Sequence, residues 1–129
     1  MMNRHLHTTL ILTGDNEEVT NVTHKKATEL FGGLVTNIIK SANCYCSFMV
    51  APCGIHVDTK EELEFKTKLD EFIKWMETHN IDGTENDFYD ENSISFNCSY
   101  VEVCHHLDDG GAFISKKDKK GAVVSRATE

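Results

Sequence analysis

The first apolar pattern along the chain has a period of two. Over 6–13, Thr8, Leu10 and Leu12 fall on one side and His7, Thr9 and Ile11 on the other, as in a strand, and Gly14-Asp15-Asn16 ends it. The period then lengthens. Ala27, Leu30, Phe31, Leu34, Val35, Ile38 and Ile39 recur at steps of three and four, which predicts a helix over about 22–41 with Asn21 as its N-cap. Gly32-Gly33 lies off that stripe, where each glycine costs about 1 kcal/mol relative to alanine. The pair therefore predicts a bend, a close backbone approach, or a contact with a partner or a second copy.

Period two returns over 44–50, with Cys44, Cys46 and Phe48 on one face and Tyr45, Ser47 and Met49 on the other. Ala51-Pro52-Cys53-Gly54 reads as a turn, and Ile55-His56-Val57 as a short return strand or a loop. Thr59-Lys60-Glu61-Glu62 is a capping box that opens a second helix. Its buried stripe is Phe65, Leu69, Phe72, Ile73 and Met76, with Trp75 beside it, and Asn80 and Asp82-Gly83 close it. A loop follows over 84–92. The β-branched and aromatic run 93–105 predicts a long strand, with Ile94, Phe96, Cys98 and Tyr100 on one face. Val101 and Val103 switch the apolar side, which predicts a bulge or a change of neighbours. After the turn 108–111, segments 112–115 and 122–125 suit a last hairpin around the lysines between 116 and 120.

The resulting order is β-α-β(β)-α-β-β. Two helices with separate apolar stripes suit one face of a mixed or antiparallel sheet, so the expected fold is an α+β two-layer sandwich with a ferredoxin-like arrangement. Residues 1–129 form one expected domain, with 116–129 as a basic hairpin tip or a frayed tail.

Composition adds constraints on partners. The chain is 40% hydrophobic and 26% charged, in the range of folded rather than disordered proteins. No apolar run is long enough to span a membrane, and the N-terminus has no signal-peptide block, so the reading is cytoplasmic with no membrane partner. Five cysteines, an odd number, fit free thiols in a reducing compartment. The net charge of −8 is uneven: residues 58–109 hold fifteen acids and four lysines. Nucleic acid needs clustered cations, so this balance disfavours it and favours a protein partner with a basic surface.

Within that acidic stretch, Phe88 and Tyr89 are embedded among Asp87, Asp90 and Glu91. Aromatics anchor interfaces and acids steer a basic partner toward them, so these five residues are the candidate partner-binding set of a small, non-catalytic binding or regulatory protein. In size and charge the chain resembles the accessory proteins with which bacteriophages bind or inhibit host proteins. Two alternatives rest on other residues. Cys44, Cys46, Cys53, His56, Cys104 and His106 supply soft and borderline ligands for zinc, which would join the 44–50 strand to the 93–105 strand if these are neighbours. His7-Thr8-Thr9 resembles one H-x-T half of the two-histidine phosphoesterases, whose histidines serve as general base and acid. The later histidines, at 56, 105 and 106, are not followed by the second H-x-T or H-x-S. Cys53 near His56 is a further nucleophile candidate.

Overall fold

A computed structural model describes residues 6–53, 60–86, 88, 90–106 and 111–117. Its elements are β1 (Leu6–Gly14), α1 (Glu17–Phe31), β2 (Ile39–Lys40), β3 (Cys46–Val50), α2 (Lys60–Thr78), β4 (Cys98–His106) and β5 (Ala112–Lys117). The strands form one antiparallel sheet in the order β2-β3-β1-β4-β5. β1 and β2 thus run parallel with β3 between them, and β3 and β4 run parallel with β1 between them. Each pair is joined by one helix, so the chain is built of two split β-α-β units. This is the ferredoxin-like arrangement expected of the pattern, extended at one edge by β5.

One core cluster joins both helices to one face of the sheet. Leu10 and Leu12 of β1, Phe48 and Val50 of β3 and Cys98 and Tyr100 of β4 meet Val19, Ala27 and Phe31 of α1 and the stripe from Phe65 to Met76 of α2. Burial of large side chains such as these contributes about 1.5–3 kcal/mol each. Phe31 packs edge-on against Phe65 and Phe72, at centroid distances of 5.6 and 6.1 Å, and ties the helices together. Tyr100 keeps its hydroxyl satisfied by donating to Glu77 Oε2 at 2.8 Å.

The first helix differs most from the sequence pattern. Its N-cap lies five residues earlier than the expected Asn21, at Asn16, whose side chain accepts from the Val19 amide at 2.9 Å, with Glu17 and Glu18 favourably placed in the first turn. It ends at Phe31 because Gly32 turns out of the helix at φ 59 and ψ −128, its amide still donating to Thr28 O. Leu34, Val35 and Ile38 stay against the core, but from a 3₁₀ turn and extended chain. There Thr36 N donates to Met49 O and Ala51 N to Leu34 O, both at 2.9 Å. β-Branched residues favour this extended form. A Cβ at Gly32 or Gly33 would meet nothing within 4 Å among the described residues, so neither glycine is there to make room for a neighbour.

Three other boundaries shift. β3 begins at Cys46, because Asn43 and Cys44 adopt positive φ in a turn that pairs β3 with β2 upstream. Over 93–105, the strand begins only at Cys98. Ser95–Asn97 form a 3₁₀ turn, and Phe96 leaves the face it was expected to share with Ile94. β4 itself has no bulge: Cys98, Tyr100, Glu102 and Cys104 alternate inward without a break against β1, with Val101 and Val103 on the outer face, and the register shift opposite Glu102 and Val103 comes from an extra residue, Ser115, in β5. Its hydroxyl donates to Glu102 Oε1 at 2.7 Å. β5 itself pairs with β4, so Lys116 and Lys117 belong to a strand rather than to a hairpin tip. Segments 54–59 and 118–129, with their expected return strand, capping threonine and last strand, lie outside the described residues.

Candidate functional site: a braced loop that presents Phe88

The segment joining α2 to β4 is rich in Asn, Asp, Ser and Thr, residues whose short polar side chains bond to nearby backbone. They do so throughout. Asp82 Oδ1 accepts from the Thr84 amide at 3.0 Å and its hydroxyl at 2.6 Å. Asn80 N donates to Thr84 O at 2.7 Å, and Asn86 N reaches back to Thr78 O at 2.7 Å, anchoring the loop on the last turn of α2. The Asn86 amide group donates to Asn80 Oδ1, Asp90 Oδ1 and Ser93 Oγ, at 2.8, 2.9 and 3.3 Å. On the far side, Ile94 N donates to His79 O and Asn97 Nδ2 donates to Glu91 O and Ser93 O, all at 2.9 Å. Ile94 is fully buried in the core beneath, so the loop is fastened from below as well.

Against this frame Phe88 points outward, 86% exposed, the most exposed large apolar side chain among the described residues. Its amide donates to Asn86 Oδ1 at 2.8 Å. Asp90 and Glu91 are exposed beside it, while Asp87 and Tyr89 lie outside the described residues. The same loop walls an open cleft of about 460 Å³, lined by Glu18, Asn80, Ile81, Asp82, Glu91, Asn92 and Asn97. Three carboxylates and a set of amides make it a cleft for a cationic or hydrogen-bonding side chain. The Thr84 hydroxyl, and after it the Thr84 amide, hold Asp82 ionised below the usual carboxylate range. Asp82, Asn86 and the cleft were not singled out from the sequence. The density of Asx and Ser/Thr residues over 80–97 was the available signal.

The topology sets the described cysteines of the candidate zinc set apart. β1 runs between β3 and β4, so the strands that were to share a zinc ion are not neighbours. Cys46 stands beside Gly14 at one end of β1, whereas Cys104 stands beside Thr8 near the other. Cys44 is exposed in its turn, and Cys53 packs half-buried against the core. Cys104 is buried, with Thr8 Oγ1 at 3.3 Å and Ser115 Oγ at 3.4 Å from its sulfur. His106 pairs with Leu6 in the ladder, and His56 is outside the described residues. Among the described residues no three His, Cys, Asp or Glu side chains converge as metal ligands. One pairing was not visible in the sequence: His7 of the H-x-T motif lies beside His105 on the next strand, with ring centroids 6.0 Å apart. No helix among the described residues is long and apolar enough to cross a membrane. The chain matches no family model, no curated protein and no solved structure.

Proposed function

We propose that the chain is a non-catalytic binding protein that holds a partner with a basic surface through the loop between α2 and β4. Phe88 enters an apolar pocket on the partner, and Asp82, Asp90 and Glu91 meet its lysines or arginines. The observation that carries this reading is an aromatic ring 86% exposed on a segment whose backbone is braced on both sides. An unsupported loop would lose conformational freedom on binding, whereas a braced one presents its anchor already in place. A phenylalanine left in water forgoes about 1.5–3 kcal/mol of burial, which becomes available to an interface. The surrounding carboxylates speed encounter with a basic surface and suppress acidic competitors.

The test compares proteins retained by the immobilised chain with those retained by Phe88→Ala and by the triple change Asp82→Asn, Asp90→Asn, Glu91→Gln. A specific partner should be lost with Phe88→Ala at all salt concentrations. The triple variant should slow its association and flatten the salt dependence. Equal retention by wild type and Phe88→Ala would remove the loop from the interface. A lowered thermal midpoint in Phe88→Ala would show that the ring supports the fold and would sink the reading.

A further inference from the structure

The helices cover one face of the sheet, and the other face has an unusual composition. An antiparallel sheet with one solvated face ordinarily alternates apolar-in with polar or charged-out. Here the outward positions are His7, Thr9, Ile11 and Thr13 on β1, Ser47 and Met49 on β3, Ser99, Val101, Val103 and His105 on β4, and Ala112, Ile114 and Lys117 on β5, with Ile39 of β2 across from Ser47. Among the described residues, no aspartate or glutamate occupies an outward strand position, in a chain of net charge −8. The one acid in β4, Glu102, is turned inward and bonded to Ser115. Elsewhere the chain builds ordinary solvated surfaces: the outer face of α2 carries Glu61, Glu64, Lys68, Glu71 and Lys74.

The residues of this face form cross-strand rows. Met49, Ile11 and Val101 lie side by side across three strands, with Lys117 next to Val101 at the β5 edge, and Thr9, Val103 and Ile114 form the next row. Ile11 is 40%, Ile39 66% and Ile114 57% exposed. Thr13 and Ser47 bond to each other at 2.7 Å, so their hydroxyls place little demand on solvent. By register the described face holds one lysine, Lys117 at the β5 edge, and no carboxylate.

We infer that this face is the interface of a homodimer, two copies stacking sheet on sheet. Charge selects the occupant. Two chains of net charge −8 repel over most of their surfaces, and this face is where they can meet without placing carboxylates opposite one another. A basic partner finds no acids there, and a nucleic acid finds no row of cations. Area agrees: strands of two to nine residues, at about 3.4 Å per residue and about 4.8 Å between strands, span about 500 Å² per copy. The pair then buries about 1,000 Å², the lower bound for a specific interface. Isologous pairing about a two-fold axis requires a patch complementary to itself, and β1, the middle strand of the five, places Ile11 near its centre. Sheets stacked this way sit about 10 Å apart with their side chains interdigitated. The inference is independent of the Phe88 loop.

The test is sedimentation velocity over a wide concentration range, on wild type, Ile11→Glu, Ile114→Glu and Phe88→Ala, with far-ultraviolet circular dichroism on each. The wild type and Phe88→Ala should sediment at twice the chain mass and dissociate on dilution. Ile11→Glu, which sets two carboxylates against each other at the centre, should be a folded monomer. Ile114→Glu, on an exposed edge-strand position where folding is not at stake, should weaken the dimer at least tenfold. A single-chain mass at every wild-type concentration would overturn the inference. So would a dimer whose affinity is unchanged in Ile114→Glu and in a folded Ile11→Glu. A monomer that instead co-sediments with phosphatidylcholine vesicles, and loses this with Ile114→Glu, would assign the face to a lipid surface and also overturn it.

Discussion

Asn86 holds Phe88 from within the chain: its side-chain oxygen accepts the Phe88 amide at 2.8 Å while its amide group donates to Asn80, Asp90 and Ser93. One half-buried side chain therefore sets the direction in which an exposed ring projects. Asn86→Ala should cost about 1–2 kcal/mol of stability in urea denaturation, since it leaves several partners unsatisfied. It should also weaken partner capture although Phe88 itself is intact. Unchanged capture by a folded Asn86→Ala chain would show that bracing of the loop does not matter to binding.

Asp82 gives the loop a pH dependence of defined sign. Its carboxyl is held low by the Thr84 hydroxyl and amide. A group depressed in the folded state contributes stability above its unfolded value, about 3.9, and loses it as the pH falls through the lower folded value. The Asp82–Thr84 turn should therefore be intact at neutral pH and open only in strong acid. In a carboxyl-carbon NMR titration, Asp82 should titrate below the ordinary aspartate range, and Thr84→Ala should move it upward. An Asp82 titration that Thr84→Ala leaves in place would remove the threonine as its cause.

Gly32 and Gly33 are adjacent in sequence and opposite in expected behaviour. Gly32 sits at φ 59, a conformation L side chains rarely adopt, while Gly33 has no positive φ, and both have open space around them. Gly32→Ala should destabilise the chain by about 1–3 kcal/mol through backbone strain alone. Gly33→Ala should be neutral or stabilising by up to about 1 kcal/mol, because it restricts the unfolded chain. Equal midpoints for the two variants in chemical denaturation would contradict the assigned helix end.

Much of the fold was legible in the chain because it is local. Period-two alternation marked β1 and most of β3, and the three- and four-residue spacing from Phe65 to Met76 marked the stripe of α2, whose members are all buried. The end of α1 was not legible in that way. Leu34, Val35 and Ile38 fit a helical stripe and are core residues, yet they reach the core from extended backbone, because Gly32 turns the chain and Met49 and Val50 accept it as a neighbour. Periodicity reports which residues are apolar and cannot distinguish two backbone paths that bury the same set.

The candidate site divides along the same line. The sequence by itself determined an acidic loop with embedded aromatics, since charge and residue type are properties of the chain. Only the tertiary structure decided that Phe88 faces outward, because its direction depends on Asn86 bonding to residues on both sides of the loop. Likewise, six cysteines and histidines suggested zinc. Inserting β1 between β3 and β4 set Cys46 and Cys104 toward opposite ends of the sheet, while the same insertion brought His7 beside His105. Strand order is set by how two helices cover one sheet face, a long-range packing outcome that no short window of sequence contains.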